Sequence, residues 1–241
     1  MNLKPFIFLT LAALGLFALA CSSDTTVLPP TNESFGISVS GAGSVFGAPD
    51  VALLSLGVEA RADTVAAARE QAAQSMDAML SSLKDGGVAE EDIQTTRFSV
   101  QPEFDFTDNR QVLRGFVVTN SVTAKIRSID DTGQLIDDAV QAGGNRARVD
   151  SLEFTIDDPS SLQDEARRMA VDEARAKAQT LAGAAGVDLG KARTIAESGG
   201  PVPIPFDGEL AAGGFAEDSS TPIETGELEV RIDVQVVYEL K

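Results

Sequence analysis

The sequence predicts an α+β fold: a mainly antiparallel sheet with helices packed on one face, in the order ββαββαβαββ. Three observations predict it. Apolar and polar residues alternate with period two in stretches that follow one another closely, as in hairpins. Three other stretches carry apolar residues at three- and four-residue spacing, with start signals before them and glycine after the longer two. From Phe35 to Lys241 the chain is long enough for one domain whose core needs no disulfide, and only one cysteine is present.

The elements follow in order. Phe35, Ile37 and Val39 alternate into Gly41-Ala42-Gly43, and after a turn at Gly47-Ala48-Pro49-Asp50 the residues Ala52, Leu54, Leu56, Val58 and Ala60 alternate back. Asp63 or Thr64 caps a helix reaching about Lys84, with Val65, Ala68, Ala72, Met76, Met79, Leu80 and Leu83 on its inner face and Gly86-Gly87 stopping it. Phe98, Val100, Phe104 and Phe106 lead through a turn at Thr107-Asp108-Asn109-Arg110 to Val112, Phe116, Val118, Val122, Ala124 and Ile126, which together predict a long antiparallel hairpin. A short helix over 131–142 turns Leu135, Ile136, Ala139 and Val140 inward, and Leu152, Phe154 and Ile156 form a short strand.

The third helix starts at Asp158-Pro159 and ends at Ala185 before Gly186. Its expected inner stripe is Leu162, Ala166, Ala170, Ala174, Ala178, Leu181 and Ala182, and alanine at that spacing lets the helix axis lie close to its support. Asp164/Arg168, Arg168/Asp172 and Glu173/Lys177 read as surface pairs on the outer face. The cleanest strand is the last, with Leu228, Val230, Ile232, Val234, Val236, Tyr238 and Leu240 on one face.

Composition removes whole function classes. The chain has no histidine and no tryptophan, so histidine-based triads, proton shuttles and His-ligated metal sites are excluded. One cysteine excludes an internal disulfide and a CxxC redox pair. A net charge of −18 argues against nucleic acid as a partner and against docking on anionic lipid. No cofactor is expected.

Residues 1–20 read as a signal peptide: Lys4 supplies the positive start, and Phe6–Ala20 carries no charge but is short for a membrane span. Ala18-Leu19-Ala20 precedes Cys21, which leaves two readings. Cys21 is the lipid acceptor of a bacterial lipoprotein, giving a membrane anchor and a lipid-tethered place in the cell envelope. Alternatively Ala18-x-Ala20 is an ordinary cleavage site that releases a soluble exported protein. Residues 21–34, rich in Ser, Thr and Pro, form the tether, and residues 35–241 form the domain.

A set of short pieces in order then carries a resemblance. They are Val39-Ser40-Gly41-Ala42-Gly43, Gly57-Val58, Gly87-Val88 with Asp92-Ile93-Gln94-Thr95, Gln101-Pro102, Gly115-Phe116-Val117-Val118-Thr119-Asn120, and Gly143-Gly144-Asn145. The long alanine helix with Leu181-Ala182, Gly186 and Leu189-Gly190 completes the set. The chain resembles the SIMPL-domain family of periplasmic and envelope proteins, which includes immunogenic antigens and a stress-defence protein. The resemblance implies an envelope role and carries no catalytic residue.

Each tempting motif has a structural account. Gly41-Ala42-Gly43 with Gly47 misses the dinucleotide spacing and precedes a strand, so it reads as strand punctuation or a bulge. Asp130-Asp131 and Asp157-Asp158 read as helix caps, and Glu90-Glu91-Asp92 as a solvated turn rather than a calcium loop. Asn120 falls in the apolar phase of its strand and is expected to be a buried amide bonded to backbone.

Three function classes follow: a lipid-anchored module working by protein binding or self-assembly, a small-ligand carrier, and last a hydrolase using paired carboxylates. The segment 199–225 is too long for an uneventful connection. Its prolines Pro201, Pro203 and Pro205 forbid a strand interior, and Ile204, Phe206, Leu210 and Phe215 are the expected contacts to another copy or an envelope partner.

Overall fold

The structure, a computed structural model of the full chain, describes residues 36–107, 110–198, 203–205 and 223–241. The expected signal peptide, the tether and Cys21 lie outside the described residues. So do Phe206, Leu210 and Phe215.

The fold is α+β and antiparallel, but it has two sheets where the sequence predicts one. In the first, β1 (Ile37–Gly47) pairs β8 (Leu228–Leu240), which pairs β6 (Leu189–Ser198), and the two-residue β7 (Ile204–Pro205) adds to the β6 side of β8. In the second the order is β3 (Ile93–Thr107), β4 (Arg110–Ile126), β2 (Val51–Ala62), β5 (Ala147–Thr155). With α1 (Val65–Asp85) after β2 and α2 (Thr132–Gly143) after β4, this sheet is a βαββαβ unit of the split-βαβ kind. α3 (Ser160–Ala185) serves the first sheet, so the described order is ββαββαβαβββ.

Each half has its own core. Leu54, Leu56, Val58, Val118, Val122 and Ile126 of β2 and β4 pack under Met76, Met79 and Leu83 of α1 and Leu135 of α2. In the other half the alanines 166, 170, 174 and 178 meet Val39, Ile232, Val234, Val236 and Tyr238. Helix starts and stops follow the sequence. The Thr64 hydroxyl accepts from Ala67 N, the Asp158 carboxylate accepts from Ser160 N, and Gly186 ends α3 in the left-handed region at φ 71°.

Gly41 and Gly43 are not a bulge. Both lie in regular register opposite Val234 and Ile232. A Cβ on Gly41 would run into the Ala170 carbonyl oxygen and stand 2.7 Å from Ala174 N. On Gly43 it would run into the Ala166 carbonyl and stand 2.8 Å from Ala170 N. Glycine on the strand and alanine on the helix together let backbone rest on backbone.

Four other expectations change. Val65, Val140 and Leu181 are exposed rather than inward; on α3 the buried face is the alanine row 166, 170, 174, 178 and 182, one position on from Leu181. Asp131 stands at the N-cap of α2 without a side-chain cap bond. Asp157 does not cap: its carboxylate takes Lys125 at 2.6 Å and Arg127 at 2.8 Å. Finally, Glu173 and Lys177 are more than a surface pair, since both reach the backbone of β1.

Gly41→Val is expected to cost about 3 kcal/mol or more, because the helix must lift off the strand. Ser40→Val, on the exposed face next door, should stay within about 0.5 kcal/mol. Urea denaturation followed by circular dichroism checks both.

Candidate interaction surface

Helix length decides what the second sheet can hide. α1 has 21 residues, about 31 Å of helix, whereas β3 has 15 residues, about 50 Å of strand. The β3–β4 hairpin therefore outruns its cover. Phe98 and Val100, opposite Asn120 and Val118, share the core face but lie on the outer strand β3; Phe104 and Phe106 continue that face towards the hairpin end, and Leu113 joins them as the cross-strand partner of Phe104. All five are exposed, Phe106 to 80%. A register shift between Glu103 and Phe104 places an extra residue, Arg114, on β4 and bends the outer hairpin. The result is a ribbon of apolar side chains, most of them aromatic, running from the flank of α1 towards the hairpin turn.

Asn120 lies at the inner end of this ribbon, opposite Val58 and Phe98. Its side-chain oxygen is buried and has no hydrogen-bond partner, so the expected backbone bond is not made. An orphaned amide oxygen is costly in isolation.

The reverse face of the same sheet is polar. Arg148 meets Glu59 at 3.0 Å, Arg61 meets Glu103 at 3.3 Å, and Ser121 donates to Asp150 at 3.2 Å. Arg148 Nε lies 3.1 Å from Asp150, yet its N–H is not aimed at an acceptor, so that contact is ionic rather than a hydrogen bond. These residues were not distinguishable in the sequence from ordinary wet-face charges. Their cations and carboxylates neutralise one another instead of converging on a ligand.

A second ion cluster ties the halves together. Arg127 grips Asp92 with two bonds of 2.9 and 3.0 Å and reaches Asp157 with a third. Asp157 N in turn donates to Asp50 at 2.8 Å, and Asp50 N donates to the Thr155 carbonyl. The cluster thus pins the β1–β2 turn, the end of β4 and the link into α3. Asp92 belongs to the 3-10 turn Glu90–Asp92, where its carboxylate pairs with Arg127. The Asp157 carboxyl is held below the ordinary aspartate range, by Lys125 first and Arg127 next.

Two depressions stand out on the surface of the described residues. A hollow of about 120 Å³ beside Gly86, Val88, Lys125 and Leu135 is smaller than the roughly 300 Å³ of a small-molecule site. A larger one of about 550 Å³ between α1 and α2 is lined by Ser81, Ser82, Asp85, Asp138 and Gln141 and lies open. Neither is the apolar chamber a carrier needs. Among the described residues no three potential ligands gather for a metal ion. Of the expected contact residues, Ile204 is exposed on β7, opposite Glu229 of β8, where proline is tolerated as an outer two-residue strand.

Two antiparallel sheets, an alanine helix seated on glycines and an apolar hairpin define the α+β fold of this chain. The SIMPL family model, described as a protein of unknown function (DUF541), matches residues 37–238, and the chain belongs to that family. The 26 kDa periplasmic immunogenic protein of Brucella melitensis is 34% identical over 245 aligned positions, covering 97% of this chain and 95% of that protein. The uncharacterized protein YggE of Escherichia coli K12 is 33% identical over 146 positions, covering 61% of this chain and 58% of that protein. YggE of Edwardsiella ictaluri is 30% identical over 185 positions, covering 76% and 75%.

Because folding lowers the Asp157 pKa, its bridges support the fold above about pH 4 and are lost as pH falls through the folded value. Asp157→Asn is expected to lower the urea midpoint at pH 7 and to flatten its fall in acid. A full-sized acid dependence in the variant would assign that dependence to other carboxylates.

Proposed function

We propose that the protein is a non-enzymatic module of the cell envelope, held by lipid on Cys21, that works by contact with other protein molecules through the β3–β4 hairpin. The observation that carries the reading is the exposed ribbon Phe98, Val100, Phe104, Phe106 and Leu113, which a chain of net charge −18 keeps in water at a cost. Aromatic side chains on a stiff two-stranded arm suit recognition, because they bring contact area with little conformational entropy to lose. Relatives named as periplasmic support export. A place in envelope stress defence rests on family resemblance.

The expected partner in the simplest case is another copy. Phe104→Ser with Phe106→Ser should leave circular dichroism unchanged, since both side chains are already in water, and should lower the mass seen by sedimentation equilibrium. Phe206→Ser with Phe215→Ser tests the other contact segment in the same run. Equal masses for wild type and the hairpin variant would overturn the hairpin reading.

The anchor is tested separately. Cys21→Ser should move the protein from the membrane fraction to the soluble exported fraction. Identical partition of the two forms would leave the ordinary cleavage reading in place.

A further inference from the structure

β1 is an edge strand, bonded to β8 on one side only. Its open side is not bare. The Ala42 backbone N–H donates to the Glu173 carboxylate, and the Ser40 carbonyl accepts from Lys177 Nζ at 3.1 Å. Glu173 and Lys177 also pair with each other at 3.0 Å. Two side chains of α3 therefore stand where the backbone of a further strand would stand.

These two residues belong to a row. Met169, Glu173, Lys177 and Leu181 follow at four-residue spacing, one position before the buried alanines 170, 174, 178 and 182. The row runs along the open edge of β1: Met169 Cβ approaches the Gly43 position, Glu173 meets Ala42, and Lys177 meets Ser40. Met169 and Leu181, at its two ends, are 46% and 50% exposed. Read in reverse the row is Leu, Lys, Glu, Met. It is complementary to itself when two copies face one another in opposite directions.

We propose that the open edge of β1 and the Met169–Leu181 row of α3 form a two-fold interface with a second copy of this chain, latched shut in the monomer by Glu173 and Lys177. An axis between Glu173 and Lys177 sets Met169 against the partner's Leu181 and Glu173 against the partner's Lys177. On the strands it sets Gly41 against the partner's Gly41, so Ser40 faces the partner's Ala42. In an antiparallel ladder such a pair exchanges N–H and C=O bonds. The groups joined are the same Ala42 N–H and Ser40 C=O that the latch occupies, so dimerisation exchanges bonds without orphaning any. Charges facing Glu173 are Lys177 on its own helix and Arg231 on β8. The Glu173 carboxyl is held below its ordinary range by the Ala42 N–H first, then by Lys177, which keeps the latch charged at neutral pH. This inference deepens the self-assembly reading by naming a partner, and it uses a surface separate from the hairpin.

Charge exchange tests it, by sedimentation equilibrium of the full chain in neutral detergent. Glu173→Lys alone and Lys177→Glu alone place like charges across the axis and should weaken the dimer. The double exchange restores both cross-subunit pairs but cannot rebuild the latch, because lysine cannot accept from Ala42 N–H and glutamate cannot donate to Ser40. Its dimer should be about tenfold tighter than that of either single variant. Adding Ala42→Pro, or Met169→Asp at an exposed position, should abolish the gain made by the double exchange. No gain for the double exchange, or a dimer indifferent to both additions, overturns the proposal. Adding Phe104→Ser and Phe106→Ser should leave this dimer intact. If they abolish it, the dimer belongs to the hairpin and the edge proposal fails while the assembly reading stands. If they alter no association but the exchange does, the hairpin reading fails and the edge stands.

Discussion

The contact on which the first half depends is the seat of α3 on β1. The alanine row can meet the strand only where Gly41 and Gly43 present no side chain, and a Cβ at either would strike the helix backbone. This close approach gives up the area that larger side chains would bury. It gains dense backbone packing over four alanine contacts, all fully buried. It also brings the neighbouring row of α3 within reach of the edge of β1. Without so short a helix-to-strand distance, Glu173 and Lys177 could not meet the strand backbone.

The second half shows the opposite balance. Its core is built from leucine, valine and methionine, and the two helices cover only the stretch of sheet that their own length allows. On the outer strand β3 and beyond that stretch, residues on the core face emerge into solvent. At the hairpin end the exposure follows from a mismatch between about 1.5 Å of rise per helical residue and about 3.3 Å per strand residue, and at Phe98 and Val100 from the outer position of β3.

Between the halves the connection is electrostatic. Arg127, Lys125, Asp92, Asp157 and Asp50 join segments distant in sequence at the one place where both halves share backbone turns. Exposed pairs of this kind contribute modestly one by one. Their value here is geometric, since they fix the direction in which the chain leaves β5 for α3. Gly47 lies at the same turn, where an added Cβ would meet the Leu162 side chain at 2.9 Å.

The sequence by itself determined the α+β class, most of the elements and the family. Period-two runs, the Thr64 cap, the Gly186 stop and the alanine stripe are local signals, and each reports a local preference that the fold does not override. What only the tertiary structure decided is which apolar residues are covered and what the charges touch. Phe98 and Phe106 share a face with buried residues of β4 and β2 and differ from them in lying on the outer strand β3. Glu173 and Lys177 have the spacing of any surface pair, and the nearness of the β1 edge gives them partners more than a hundred residues away in sequence. The same holds for Asp157, which sits where a cap would sit and instead binds Lys125 and Arg127. Local pattern carries no information about which edge or which cation lies beside a side chain, because that depends on how two sheets and three helices share space.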